Sequence, residues 1–194
     1  MPLRSLLCLC ALALPLGLQA GPATDEPLML VAQADLDSVI FESAVLLVKP
    51  LADGGHIGFI INRPTNAKMS DLFPDDEASK KIADPLYLGG PDGYNRVFAV
   101  VGQRDTAGKD ALQLMPGVFL VSESKDIDKV IASDPEHARF FLGLVVWRPG
   151  QLDEELDRGY WFVDKADAKL VLEKKTDGLW EELVRRSEAR AHST

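Results

Sequence analysis

The sequence predicts a single α+β domain spanning residues 28–186. Its first half contains short apolar runs separated by turn residues, which is typical of strands joined in hairpins. The strongest apolar run after the first twenty residues, ARFFLGLVVW at 138–147, fits a central strand covered on both faces. The helical patterns are grouped late in the chain instead of alternating with strands, which favours α+β over α/β.

Each predicted strand is an apolar run that ends at glycine, proline or a polar cluster. The turn residues ADGG connect the second and third runs, so these two strands form a predicted hairpin in which Gly54 and Gly55 supply positive φ angles. The predicted strands are 28–33, 43–48, 56–62, 86–91, 96–103, 117–121, 138–147 and 160–165.

The predicted helices are short and amphipathic. MSDLF at 69–73 indicates one turn with Ser70 as its N-cap, and Ser124 is the predicted cap of a helix that buries Ile127, Val130 and Ile131. After Pro149, the acidic residues of DEEL favour a helix start because they lie near its positive end. The remaining helical segments are 166–175 and 179–189, and the predicted polar tail is 187–194.

The first twenty residues have the composition of a secretory signal peptide. Arg4 is their only charged side chain, and the apolar stretch at 5–18 is shorter than the roughly 20 residues of a membrane-spanning helix. We expect cleavage after Ala20, with Ala23 as the alternative, and a linker at 21–27. The mature protein would then be periplasmic or secreted, with no membrane span. A start codon assigned too early is the competing explanation.

Charge and cysteine content limit the classes of partner. Without Arg4 the chain has 20 basic and 30 acidic residues, a net charge of −10, and its basic clusters are three isolated pairs, Lys80-Lys81, Lys174-Lys175 and Arg185-Arg186. Phosphate neutralisation needs a concentrated basic patch, so we expect no nucleic-acid partner. Both cysteines, Cys8 and Cys10, lie in the predicted leader. The mature chain therefore offers no disulfide and no thiolate metal site.

The motif search predicts neither a cofactor nor a metal site. His56, His137 and His192 are scattered and lack the HExxH spacing, and the sequence contains no G-x-S-x-G or P-loop motif. Ser122 and Lys125 match the S-x-x-K of serine acylases, but the S-D-N and K-T-G partner motifs are absent. A polar helix start is the preferred interpretation of this match, and an acylase is the alternative.

Three motifs occur in register: GHIGFIINRPT at 55–65, YLGGP at 87–91 and FLGLVVWRPGQLDEEL at 141–156, with a later Trp. Together they resemble the YqgE/AlgH family of bacterial proteins. The resemblance implies a mixed, largely antiparallel sheet curled into a pseudo-barrel, with helices packed outside. It implies no reaction, ligand or catalytic set, although members are commonly labelled transcriptional regulators. Typical members are cytoplasmic, so the leader is a departure from the family pattern.

In each motif an apolar strand ends in glycine or proline beside a polar residue. Pro64 restricts the backbone around Arg63, which either terminates the strand by pairing with an acid of 153–155 or presents its guanidinium to a carboxylate or phosphate. Rigid strand ends gathered at one edge can hold side chains in fixed positions. The candidate ligand-binding residues around one predicted depression are Asn62, Arg63, Thr65, Gly89, Gly90, Trp147, Arg148 and Gln151.

The leading functional hypothesis is a non-enzymatic binding module, secreted or periplasmic, for a small anionic ligand or a periplasmic protein partner. An enzyme of unrecognised type that uses the same concavity is the alternative, and a transcriptional regulator is the second alternative. Conversion of a substrate would favour the enzyme, whereas a stable periplasmic partner would favour the binding module.

The leader yields a direct prediction. Native protein should begin near Gly21, because the apolar core at 5–18 has the length that signal peptidase substrates share. Mass spectrometry of the N-terminal peptide from a periplasmic fraction tests this. Intact Met1 recovered from the cytosol would contradict export.

Overall fold

The computed structural model describes residues 26–192, so the predicted leader and most of the linker lie outside the described residues. The chain is an α+β domain whose sheet is curled into a half-barrel, which confirms the predicted class. The strands are β1 (Leu28–Ala32), β2 (Val45–Pro50), β3 (His56–Ile60), β4 (Tyr87–Leu88), β5 (Asp92–Val101), β6 (Leu112–Met115), β7 (Val118–Val121), β8 (Ala138–Trp147) and β9 (Trp161–Lys165). The α-helices are α1 (Met69–Leu72), α2 (Arg104–Ala107), α3 (Ser124–Ser133), α4 (Gln151–Asp157), α5 (Ala168–Leu172) and α6 (Leu179–Ala191).

The strands follow the order β6-β7-β5-β8-β3-β2-β1-β9, and every neighbouring pair in this path is antiparallel. β4 lies off the path and pairs with β8 in parallel, which makes the sheet mixed. The curl brings β6 back towards β2. No helix within 26–192 has the length and apolar content needed to cross a bilayer.

Both faces of the sheet are buried, and the chain therefore has three apolar clusters. The concave interior contains side chains from most of the strands and is covered by α5 and α6. On the convex side, α1, α2 and α3 cover the part around β5 and β7, while α4 and the β1–β2 loop cover the part around β1 and β2. The predicted helical face on α3 is confirmed, since Ile127, Val130 and Ile131 are all buried.

The apolar run at 138–147 is the central strand, as predicted. β8 pairs with β5 over its first half and with β3 over its last three residues. Successive side chains alternate between clusters, so that Phe140 contributes to the convex side and Phe141 to the interior. A continuous apolar sequence is therefore required here.

Backbone contact among three glycines allows β4 to lie between β3 and β8. Gly89 donates its N–H to Leu142 O at 2.8 Å and accepts from Ile60 N at 2.9 Å, which bridges the two strands where they separate. A Cβ on Gly89 would lie 2.2 Å from Gly143 O, and one on Gly90 would lie 2.3 Å from Leu144 O. Gly143 itself adopts φ 67°. Only residues without a side chain fit this contact.

Arg139 is a buried cation inside the half-barrel, with 1 % of its surface exposed. Its guanidinium donates to the carbonyl oxygens of Val171 (2.7 Å) and Ile61 (2.5 Å) and lies over the Tyr87 ring, 4.1 Å from the ring centroid. Burial lowers the pKa of Arg139, although the neighbouring Tyr87 opposes this shift. Carbonyl dipoles and an aromatic face contact the charge directly, and the carboxylates of Glu173 and Asp84 also favour the charged form.

Several local predictions need correction. Gly54 has positive φ, whereas Gly55 does not; a Cβ on Gly55 would instead lie 2.9 Å from Trp147 O, so close approach requires that glycine. Ser70 and Ser124 lie inside their helices, whose N-cap positions are Lys68 and Glu123. Both N-cap residues have an extended backbone, and each comes before the serine that was predicted to be the N-cap.

Other element assignments also differ from the predictions, as the next to last strand before β8 and the last helix show. β6 was not predicted, because this edge strand is short and its first two residues are exposed. α6 continues to Ala191, beyond the expected end of the domain at 186, since Ser187 is buried and Arg190 donates to Asp164 at 2.9 Å. The predicted tail therefore begins within a helix, and its last two residues lie outside the described part.

Gly90→Ala should lower the free energy of unfolding by about 1–3 kcal/mol or more, because the added methyl group meets a backbone atom that cannot move aside. Gly102→Ala is the matched control, since its Cβ would meet mainly the end of the flexible Leu172 side chain, at 3.0 Å. Urea denaturation of both variants tests the difference. Equal urea midpoints for the two variants would show that the backbone around β4 can accommodate the added methyl group without loss of stability.

Candidate functional site

The third sequence motif fixes one carboxylate on the convex side of the sheet. The buried Trp147 ends β8 and Trp161 begins β9, and their indole N–H groups donate to the same Oε2 of Glu155, at 3.0 Å and 2.9 Å. Gln151, one turn earlier on α4, donates to Glu155 Oε1 at 3.4 Å. Three neutral donors therefore set the direction of this carboxylate, and no basic side chain within 26–192 forms an ion pair with it.

Glu155 lines a cleft of about 390 Å³, which we call the indole cleft. One side consists of the end of α4 and the start of β9, and the opposite side is the loop at 33–44 that connects β1 to β2. Across the cleft, the Phe41 and Trp161 rings meet edge to face with centroids 5.6 Å apart. The lining residues that carry aromatic rings or charge are Asp35, Asp37, Phe41, Glu155, Arg158, Tyr160 and Trp161.

Arg63, from the NRPT motif, holds the loop side of this cleft. Its Nη1 donates to Ile40 O at 2.5 Å and to Val39 O at 3.4 Å, and its Nη2 donates to Glu42 O. The guanidinium is thus occupied by backbone carbonyls that have no sheet partner. It pairs with no acid of 153–155, so the predicted ion pair is not formed, and it is not presented to an anion.

Asn62 fixes the end of the same loop. Its Nδ2 donates to Ser43 O and its Oδ1 accepts from Val45 N, both at 2.8 Å. Ser43 has φ 54° and is the one non-glycine residue with positive φ in 26–192. The Asn62 amide thus holds the backbone from the strained Ser43 to Val45, the first residue of β2. This explains why a polar residue follows the apolar strand β3.

Thr65 and the glycine pair have structural roles in this geometry. Thr65 Oγ1 donates to Leu86 O at 2.8 Å and accepts from Ala67 N at 3.1 Å, closing the turn before α1. Gly89 and Gly90 are buried in the backbone contact with β8 described above.

The prediction that all eight residues surround one depression is wrong. Trp147 lies opposite His56 at the start of β3, whereas Asn62 follows the end of that strand, six residues or about 20 Å further along an extended chain. The ends of neighbouring strands gather at one edge only if the strands are parallel, and β3 and β8 are antiparallel. Arg148, next to Trp147, is exposed, and its backbone N–H donates to Gln151 at 3.3 Å.

The two motifs nevertheless support the same cleft from opposite sides. Asn62 and Arg63 hold the loop that contributes Phe41, while Trp147 and Gln151 hold Glu155. These four residues lie behind the walls of the cleft and do not line it. The sequence therefore identified supporting residues of the cleft and missed its lining.

The charge of the cleft is negative. Asp35 and Asp37 are exposed and make no hydrogen bond or ion pair with any residue in the described range. The only basic residue in the lining, Arg158, is directed towards Glu154, with an N–O distance of 3.7 Å. Three carboxylates and aromatic faces together favour a positively charged group.

The geometry of the described residues gives little support for a metal site or for catalysis by the histidines or by the S-x-x-K motif. No group of three or more His, Asp and Glu side chains within 26–192 is arranged to hold a metal ion. Burial lowers the pKa of His56, against the opposing effect of Asp153, and its Nδ1 is buried without a partner. Lys125 lies 4.0 Å from Asp110 and makes no hydrogen bond to Ser122. A polar helix start accounts for that motif.

Sequence reasoning missed the lining because it assigned DEEL to helix initiation alone. The signal that could have found Glu155 is its spacing, eight residues after one tryptophan and six before another. Asp35 and Asp37 carried no comparable signal, since their position at the cleft depends on how the β1–β2 loop crosses the sheet.

The comparisons with known proteins agree with this architecture. A family model described as AlgH-like matches residues 29–192. The chain belongs to the AlgH-like family. Among its relatives, a UPF0301 protein of Methylococcus capsulatus is 33 % identical over 178 residues, covering 88 % of this chain and 96 % of the relative. A UPF0301 protein of Chlorobaculum parvum is 31 % identical over 160 residues, covering 81 % and 83 %.

Solved structures share the AlgH-like fold. The solution structure of the AlgH protein from Pseudomonas aeruginosa has a TM-score of 0.71 at 20 % identity, covering 87 % of this chain and 91 % of that one. A crystal structure of a Corynebacterium diphtheriae protein has a TM-score of 0.64 at 25 % identity, covering 82 % and 85 %. None of the four names states a reaction or a ligand.

The role of Arg63 can be tested by mutation. Arg63→Ala should cost about 1.5–3 kcal/mol of stability and increase amide hydrogen exchange at 33–44, because it removes charged hydrogen bonds to that loop. Arg148→Ala, which removes an exposed guanidinium without a side-chain hydrogen bond, should change neither. Unchanged exchange in Arg63→Ala would show that the loop is held by other contacts.

Proposed function

We propose that this AlgH-like protein is an exported, non-catalytic binding module whose indole cleft takes a positively charged group. The group can be an amine, a guanidinium or a quaternary ammonium, carried by a small molecule or by a side chain of a periplasmic protein partner. The observation that carries the proposal is Glu155, a carboxylate fixed by two indole N–H groups and left without a cation.

Each part of the cleft suits such a group. Glu155 and the unpaired Asp35 and Asp37 supply negative charge, and the Phe41 and Trp161 rings supply aromatic faces beside it. A cation near an aromatic face is stabilised further once it is partly desolvated. The support is also rigid, because both sides are held by hydrogen bonds, and a preorganised site loses less entropy on binding.

This proposal changes the expected ligand from an anion to a cation. The anionic ligand was expected on the interpretation in which Arg63 presents its guanidinium to a ligand, whereas this guanidinium is bonded to carbonyl oxygens. The depression next to Arg63 also contains Asp177 and Glu181, which would repel an anion. The expectation of a protein partner remains part of the proposal.

Export is supported by the leader and by the extent of the family match. The match begins at residue 29, so the predicted signal peptide and linker lie outside it. The acidic mature chain also supports the absence of a nucleic-acid partner, since it would repel phosphates. These features favour the binding module over the regulator.

Binding can be followed through the intrinsic tryptophan fluorescence, to which Trp161 contributes, and through NMR chemical-shift changes during titration with spermidine and with tetramethylammonium chloride. Glu155→Gln should weaken binding of both probes about tenfold, equivalent to about 1.4 kcal/mol, because it removes the charge and keeps an acceptor for the indoles. Glu182→Gln on α6, which removes an exposed carboxylate outside the cleft, is the matched control.

The outcomes separate the hypotheses. Binding that falls in Glu155→Gln and persists in Glu182→Gln supports the cleft. Equal binding by all three proteins would mean that only the general negative charge attracts the probes. Chemical conversion of a probe during the titration would favour the enzyme.

A further inference from the structure

A second surface, separate from the indole cleft, combines exposed apolar side chains with negative charge. A groove of about 410 Å³ lies between α1, the bulged start of β5 and α3. Its floor contains the buried Ile127 and Ile131, and its rim carries Leu72 and Phe73, which are 43 % and 45 % exposed. Large apolar side chains that remain exposed around a groove are typical of a protein interaction site.

The β5 bulge adds an aromatic residue beside this groove. β5 pairs with β8 at Asp92 and again from Val97, so residues 93–96 protrude from the sheet. Tyr94 lies in this protrusion and is 74 % exposed, next to the groove residues Asn95 and Arg96. Exposed aromatic residues around a groove are the side chains that most often dominate binding energy at interfaces.

The charge around the groove indicates which kind of partner it would bind. The segment at 71–77, DLFPDDE, contains four acidic residues, of which Glu77 pairs with Lys80, and Asp128 on α3 adds a carboxylate on the facing wall. The one basic residue in the lining, Arg96, lies over the Phe98 ring at 5.3 Å. Lys129 on α3 does not line the groove and pairs with the buried Asp126 of the same helix.

We propose that this groove binds a basic amphipathic helix of a protein partner, with apolar side chains one turn apart entering between Phe73 and Ile127 and with lysine or arginine residues facing Asp76 and Asp128. This is the helix-in-groove mode of recognition, in which anchors at i and i+3 or i+4 fill the groove. An anionic membrane surface is the less suitable occupant, because it would be repelled by the acidic rim.

The test is fluorescence anisotropy with a labelled amphipathic leucine–lysine peptide of about 14 residues, or four helical turns. Phe73→Ser and Asp128→Lys change facing walls of the groove, and each should weaken binding at least tenfold. Val163→Ser is the matched control, since Val163 is 48 % exposed on the edge strand β9. Glu182→Gln on α6, which removes an exposed carboxylate outside both the groove and the indole cleft, should also leave peptide binding unchanged.

Loss of binding in both groove variants, with Val163→Ser and Glu182→Gln unaffected, supports the proposal. Absence of peptide binding, equal binding by all variants, or equal affinity for a peptide of the same composition with the amphipathic order scrambled would overturn it. Sedimentation with phosphatidylglycerol vesicles that is lost in Phe73→Ser would also overturn it, because the patch would then be a membrane contact.

Discussion

The architecture depends on the contact between backbones at Gly89, Gly90 and Gly143. One half of the sheet contains β3, β2, β1 and β9, and the other contains β5, β7 and β6, with β8 shared between them. The halves meet at β8, and β4 fills the gap where β3 leaves β8. A side chain at any of the three positions would enter a neighbouring backbone. The half-barrel is therefore possible because a short segment of chain approaches a strand more closely than side chains allow.

The NRPT motif and the motif that contains Trp147 lie near opposite ends of β3, yet both hold residues of the indole cleft in place. The loop at 33–44 crosses the convex side, where the carbonyl groups of Val39, Ile40 and Glu42 have no strand to pair with and accept hydrogen bonds from a side chain instead. Arg63 and Asn62 supply donors to this loop from one end of β3. At the other end, Trp147 supplies a donor to Glu155. Side chains beside the two ends of β3, from the NRPT motif and from the neighbouring strand β8, thus fix the two sides of a cleft that these side chains do not line.

The sequence predicted the central strand, the first hairpin and the late helices because each carries a local periodic or turn signal. β6 lacks such a signal, since Leu112 and Gln113 are exposed at an edge. At the candidate site, Trp147 and Gln151 were predicted because they lie beside a strand end. Phe41 and Asp37 could not be predicted, because their proximity to Glu155 depends on strand order, and local patterns do not specify strand order.

The position of β1 has a consequence for how the chain acquires its structure. β1 lies between β2 and β9, and Leu28 pairs with Lys165 across most of the chain length. Until residue 165 is available, one side of this fully apolar strand is an unpaired edge, which is the kind of segment that associates with other chains. Pairing over such a sequence separation also makes folding slow. A partly synthesised chain therefore needs protection until its C-terminal third has been made.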